Sequence, residues 1–302
     1  MYKNFKEMES YLLSNQIKKK VALANAQDDV ALAALVHAKR TGIVDAVLIG
    51  DQVCIEQLLI DMGEQVSDYE IISCDDERAS ADLACKLIKE GKADIPMKGL
   101  MQTSNFMKAI LNKELGFFPE GALLSQATVL QYEAEQRFMI ITDCAINIAP
   151  DVEAKAKITA NAVELAHKLG IEKPNIAFVS AVEKVNPKII STVDAEELVK
   201  RAETGEFSEI GSVAGPLALD NVVSEEAARH KGIESSVCGH ADILVMPDLC
   251  AGNIFTKALT FFAHLESAGT LNGCDVPAVM TSRTDTEADK YYSILMAVMK
   301  GL

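Results

Sequence analysis

Short apolar runs alternate with amphipathic helical patterns along most of the chain. After a helical pattern around Phe5 to Leu13, the runs Val21–Ala24, Val44–Ile49, Tyr69–Ser73 and Asp94–Met97 read as strands. Asp28–Arg40, Ile55–Met62 and Asp76–Lys89 between them read as helices. Asp28 and Asp75 are the expected N-caps, and Gly42, Gly63 and Gly91 the expected stops. This rhythm predicts a largely parallel sheet with helices on both faces, an α/β class. The middle departs from it: Ala122–Tyr132 and Arg137–Thr142, joined by a charged turn at Glu133–Gln136, predict an antiparallel hairpin. Alternation then resumes with helix Val152–Leu169, strand Asn175–Val179, helix Ala195–Glu203 and strand Ile210–Ala214. A helix around Ser224–His230, strand Asp242–Met246 and helix Asn253–Ser267 follow, and a last strand from Ala278 leads into a C-terminal helix.

With 302 residues, nearly half of them hydrophobic, the chain has material for two α/β domains. No Ser/Gly-rich linker separates its halves, which predicts two closely packed domains with a cleft where the chain crosses. The expected division is 1–120 with 275–302 against 121–274. Lys and Arg total 29 against 44 Asp and Glu, a net charge of −15. Such a surface argues against nucleic acid and anionic membranes as partners, and a small anion needs a local cluster of donors to be held. The seven cysteines are scattered and contain no Cys-x-x-Cys, as expected of free thiols in a reducing, cytoplasmic compartment.

Several familiar chemistries lack their residues. There is no Gly-x-Gly-x-x-Gly after a strand, no Walker loop, no His pair at metal-ligand spacing and no Gly-x-Ser-x-Gly elbow. No metal and no tightly bound cofactor is expected. What remains is a set of polar residues where strands meet helices. Ser282 and Arg283 follow the apolar run Val276–Met280, where free N–H groups, a hydroxyl and a guanidinium fork suit a phosphate. Asp289 lies within two helical turns, close enough to serve as a base. Lys98 and Gly99 end a strand, Thr103 and Ser104 open a helix, and Lys108 follows a turn later. Asp220 and Asn253 sit at two further junctions of the same kind. Read singly, each is equally a capped helix or a solvated side chain. Together they gather polar groups at strand C-termini, where open α/β sheets bind ligands.

Five blocks in order resemble one family. They are Lys98-Gly-Leu-Met-Gln-Thr-Ser-Asn-Phe-Met-Lys-Ala-Ile-Leu-Asn-Lys-Glu, Thr142-Asp-Cys-Ala-Ile-Asn-Ile-Ala-Pro, Gly215-Pro-Leu-Ala-Leu-Asp-Asn, Pro247-Asp-Leu-Cys-Ala-Gly-Asn and Thr281-Ser-Arg. They are similar to the phosphate acetyl/butyryltransferases, most of all to the butyryl-transferring members, and the similarity runs from about Val21 to the C-terminus. The resemblance implies reversible transfer of a short-chain acyl group between coenzyme A, a substrate, and inorganic phosphate through a ternary complex. Butyryl is the expected group and acetyl the alternative. It also implies two α/β/α domains with an interdomain cleft, as in isocitrate- and isopropylmalate-type dehydrogenases, and a homo-oligomer. By the same likeness Ser282 and Arg283 engage the phosphoryl group and Asp289 is the thiol base. Lys108 falls where acetyl-transferring relatives carry arginine, and lysine lacks the planar two-point contact. Two other readings stand beside this one: a metal- and NAD-dependent dehydrogenase drafting Asp220 and Asp248, and a non-catalytic acyl phosphate or coenzyme A sensor.

Overall fold

The apolar runs of the N-terminal part form a four-stranded parallel sheet in the computed structural model, which describes residues 2–132 and 135–302. Helix α1 (Phe5–Ser14) leads to β1 (Lys19–Ala24), α2 (Asp29–Arg40), β2 (Val44–Gly50), α3 (Gln52–Asp61) and β3 (Glu70–Ser73). Helix α4 (Glu77–Lys89), β4 (Ile95–Lys98) and α5 (Thr103–Ile110) follow. The strand order is β3-β2-β1-β4, so the chain winds outward from β1 and then returns to its other side. Register places Ala24 at the end of β1 beside Lys98 at the end of β4. That reversal is a topological switch point, where the strand ends leave a crevice.

Local chemistry explains the helix limits. Asp28, Asp51 and Asp76 each accept a hydrogen bond from an N–H in the first turn, of Ala31, Cys54 and Ala79. The third cap is therefore Asp76 rather than Asp75. Gly42, Gly63 and Gly91 stop their helices in the left-handed region, at φ of 86, 76 and 67°.

The chain divides into two compact units. The first comprises Phe5–Ala122 and Ser267–Leu302, the second Leu123–Glu266 and Met1–Asn4. In the second, β5 (Ser125–Tyr132) and β6 (Arg137–Thr142) pair antiparallel as expected, although Glu133 and Ala134 of the turn lie outside the described residues. Helix α6 (Val152–Lys168), β7 (Ile176–Val179), α7 (Ile190–Glu203) and β8 (Val213–Leu217) come next. After them come α8 (Leu219–Val223), α9 (Glu225–His230), β9 (Ile243–Val245) and α10 (Leu249–Phe261). These strands run in the order β5-β6-β9-β7-β8, with β6, β9, β7 and β8 parallel.

Three expectations are corrected at the C-terminal end. Helix α10 begins at Leu249 because Asp248 caps it, and ends at Phe261 instead of reaching Ser267. Ser267–Asn272 is a strand, β10, with no alternating apolar pattern to announce it. The expected strand from Ala278 shrinks to one bridge, Val279 beside Met97, since Pro277 has no N–H to donate. Helix α11 (Glu287–Lys300) closes the chain and buries Ile294, Leu295, Ala297 and Val298. Further back, α7 starts five residues before the expected Ala195, at Ile190, and β8 lies three residues beyond the expected Ile210, at Val213.

Candidate active site

The switch point of the first unit is also where its cations gather. All four residues of β4 are buried, and the Lys98 N–H donates to Val279 O at 2.9 Å, tying the strand end to the segment that carries Ser282 and Arg283. Gly99 then crosses the end of β1: a Cβ there would lie 2.3 Å from Asn25 O and 2.7 Å from Ala24 O. No other residue passes so close. The lysine before it is therefore turned into the protein, 3% exposed, with Nζ donating to Gly99 O at 3.2 Å. Burial pushes the Lys98 pKa down to about 8; Lys290 and Arg283 reinforce that shift, while Asp28 and Asp285 oppose it.

Lys290 is the residue that sequence reasoning passed over. It is 2% exposed, and its ammonium donates to Ser282 O at 2.7 Å and to Thr281 Oγ1 at 3.3 Å. These bonds pin the Thr281–Arg283 turn to α11. A signal was available, because Lys290 falls on the stripe of Ile294, Ala297 and Val298, where a solvated lysine has no place.

Ser282 and Arg283 sit in a turn before α11, not at the helix start. The Ser282 N–H donates to Asp285 Oδ2 at 2.7 Å, and the Asp285 N–H returns to Ser282 O at 3.3 Å. The free N–H expected at Ser282 is thus occupied. Its hydroxyl lies 3.1 Å from Thr284 Oγ1. Arg283 is exposed, and among the described residues its guanidinium makes no hydrogen bond or ion pair.

Asp289 has no such freedom. It is the third residue of α11 and forms a capping box with Thr286, Oδ2 accepting from Thr286 Oγ1 at 2.6 Å and from Thr286 N at 3.2 Å. Oδ1 accepts from the N–H and hydroxyl of Ser267 at 3.0 and 3.1 Å. Both oxygens of the expected base are engaged, and they staple α11 to the first residue of β10.

Thr103 and Ser104 open α5 as expected, but neither is its cap. Gln102 holds that position without a side-chain bond, so among the described residues the N–H groups of Thr103 and Ser104 have no acceptor. Glu77 steadies the turn, accepting from Gln102 N and Asn105 Nδ2 at 3.1 Å each. Lys108 is exposed in the last turn of α5.

Asp220 and Asn253 belong to the second unit. Asp220 is exposed in α8 and paired with Lys231 at 2.8 Å, which holds its carboxyl below the usual range. The Asn253 amide donates to Cys144 O at 3.1 Å instead of presenting its hydrogens to an anion. Gly252 beside it would place a Cβ 2.4 Å from Asp143 O, so α10 needs glycine to approach that turn. Asp143 itself is 3% exposed and accepts from Gln126 N, Ala145 N, Ile146 N and Asn147 Nδ2, which explains the Thr142-Asp-Cys-Ala-Ile-Asn block as a structural knot. Asp248, drafted as a metal ligand in the dehydrogenase reading, caps α10.

A family model described as "Phosphate acetyl/butaryl transferase" matches residues 77–298. The chain is similar to the phosphate butyryltransferase of Clostridium acetobutylicum, at 41% identity over 300 residues, 99% of this chain and 98% of that one. It is 39% identical over 281 residues to the phosphate acetyltransferase of Thermotoga maritima, 93% of this chain and 95% of that protein. Among solved structures, a branched-chain phosphotransacylase from Enterococcus faecalis V583 superposes with a TM-score of 0.80 at 33% identity, covering 94% of this chain and 99% of that one.

Proposed function

Because the chain belongs to the phosphate acetyl/butyryltransferase family and is an acyltransferase, we propose that Ser282, Arg283 and the first turn of α5 hold the phosphoryl group of its acyl phosphate substrate. The observation that carries this assignment is a cluster of positive charge at a strand switch point: exposed Arg283, its guanidinium without a hydrogen bond or ion pair among the described residues, beside buried Lys98 and Lys290. In a protein of net charge −15, a guanidinium left without a partner suits an anionic ligand. The two free N–H groups at Thr103 and Ser104 add donors of the kind phosphates use. Lys108, exposed further along α5, is assigned to the rim as a point charge. Asp220 and Asn253 retain only supporting roles in this reading, because each already has a protein partner.

The reaction is a direct transfer within a ternary complex. The coenzyme A thiolate attacks the carbonyl carbon of the acyl phosphate, the C–S bond forms, the C–O bond breaks, and phosphate departs. Arg283 and the α5 donors stabilise charge that grows on the leaving oxygens. In reverse, a phosphate oxygen attacks the thioester and the thiolate leaves. Butyryl is the proposed group over acetyl, supported by the longer match to the butyryltransferase, 300 against 281 residues. Each extra methylene contributes only ~0.8 kcal/mol of burial, so the preference is a matter of pocket shape.

The deciding measurement is thiol release from acetyl-, butyryl- and branched acyl-CoA, with and without phosphate. Release that requires phosphate and has its highest kcat/KM with butyryl-CoA is expected. Phosphate-independent release, or none, rejects the assignment. The dehydrogenase reading is not favoured, since Asp220 and Asp248 are both engaged elsewhere.

The chain is further proposed to associate with copies of itself through α10. Ile254, Phe261 and Phe262 on or just past this helix are 69, 56 and 88% exposed, a surface that water solvates poorly. Among the described residues no helix is long and apolar enough to cross a membrane. The seven cysteines are free thiols, in keeping with the proposed cytoplasmic location.

A further inference from the structure

We infer that Asn25, the first residue past β1, is a positioning residue for phosphate: its side chain fixes the crossover Gly99–Gln102 and so the place of the first turn of α5. The inference rests on the phosphate acyltransferase reading above and adds to it a residue that acts through the backbone rather than on the substrate. The register that puts Ala24 beside Lys98 brings Asn25 against the start of the crossover. Asn25 then grips one residue twice. The Leu100 N–H donates to Asn25 O at 3.1 Å, and Asn25 Nδ2 donates to Leu100 O at 2.8 Å. Asn25 is anchored in turn, its N–H donating at 2.8 Å to the hydroxyl of Ser80, a buried residue of α4. At the far end of the crossover, Glu77 of the same helix accepts from Gln102 N and Asn105 Nδ2. Asn25 and Glu77 therefore clamp the two ends of the segment that leads into Thr103.

Stability alone does not account for asparagine at this position. Its φ of 53° lies in the left-handed region, which asparagine tolerates better than most residues and glycine adopts freely. Its amide is buried, yet Oδ1 has no hydrogen-bond partner among the described residues. A left-handed backbone and an unmet buried acceptor each cost free energy, and such costs persist where a site needs the geometry. The main-chain bonds to Ser80 and from Leu100 are open to any residue. Only the bond from Nδ2 to the Leu100 carbonyl requires the side chain. That carbonyl lies three residues before Thr103, whose N–H and that of Ser104 are the free donors of α5. A crossover free to shift carries those donors away from the phosphoryl oxygens, and hydrogen bonds weaken steeply with misalignment.

The test compares Asn25→Gly with Asn25→Ala in the acyl-CoA-plus-phosphate direction. Glycine keeps the left-handed backbone and removes only the side-chain bond, whereas alanine removes the bond and also resists the backbone. Both variants should raise the KM for phosphate ~10-fold, the scale of one lost hydrogen bond, with the KM for acyl-CoA within ~2-fold of wild type. Asn25→Ala should also melt at a lower temperature. A purely structural residue gives another pattern: melting temperatures fall and both KM values hold. A near-wild-type phosphate KM in folded Asn25→Gly overturns the inference. If neither variant folds by circular dichroism, amide hydrogen exchange in the wild-type enzyme decides. Saturating phosphate should slow exchange across Leu100–Asn105, and unchanged exchange there, while thiol release still saturates with phosphate, overturns the inference. Wild-type protein that releases no thiol at all instead removes the acyltransferase reading, a separate failure.

Discussion

Arg283 and Lys98 carry the same charge in opposite surroundings, and that contrast assigns them different work. Arg283 is exposed and unpaired, so its planar fork is available to an anion at no structural cost. Arg283→Ala is expected to lower kcat by roughly 10²–10³, as removal of a transition-state donor does. Its circular dichroism spectrum and melting temperature should match wild type; steady-state kinetics with a full spectrum of the variant checks both. Lys98 is held inside by its strand and by the glycine after it, and burial there pushes its pKa down to about 8. The same shift carries a stability signature. Between pH about 8 and the ordinary lysine value of 10.5, the unfolded chain binds more protons at this position than the folded one, so Lys98 contributes a rise in stability with pH across that window. Much of this scale was legible: Ser282, Arg283 and Lys98 were singled out from residue type and junction alone. Lys290 was not, since a lysine in a helix reads as solvated unless its place on the apolar stripe is weighed.

At the scale of elements, α11 is the part on which the site depends. Its capping box fixes its first turn, Asp289 ties that turn to β10, and Lys290 ties it back to the Ser282 turn. Removing the Asp289 carboxylate loosens the first two. Asp289→Ala is expected to cost about 1–2 kcal/mol of unfolding free energy, within the range for helix-cap deletions, with Ser267 also left without an acceptor. A lower urea midpoint with unchanged slope checks it; an unaltered midpoint means the cap contributes nothing. Elements with apolar runs or an aspartate cap, such as β1, α2 and β2, were legible to within two residues at either end. Strand β10 was not, because Ser-Ala-Gly-Thr-Leu-Asn has no periodic apolar pattern and owes its form to neighbours such as Ser293, whose hydroxyl accepts from Gly269 N at 2.9 Å. The start of α11 was placed too early for a related reason: side-chain bonds at Asp285 and Thr286 shape the turn and cap, and residue order alone does not show them.

For the whole molecule, association and charge are the properties that matter. Phe262→Glu on the exposed end of α10 should shift the protein to a smaller species in light scattering coupled to gel filtration. The same mass for both proteins would remove that surface from the proposed contact. The net charge of −15, the alternation of strands and helices and the junction motifs were properties of the chain itself. Composition, local periodicity and the side-chain preferences of turns and caps need no partner far along the chain, so the α/β class and the polar strand ends could be read directly. The tertiary structure alone decided that β4 returns beside β1, which residue of α11 reaches the Ser282 carbonyl, and that Asp289 is a staple with both oxygens engaged. Those facts rest on contacts between different elements, which the order of residues within any one of them does not show. Burial and hydrogen-bond saturation arise only when such segments meet, and they lower the pKa of one lysine while engaging both oxygens of an aspartate.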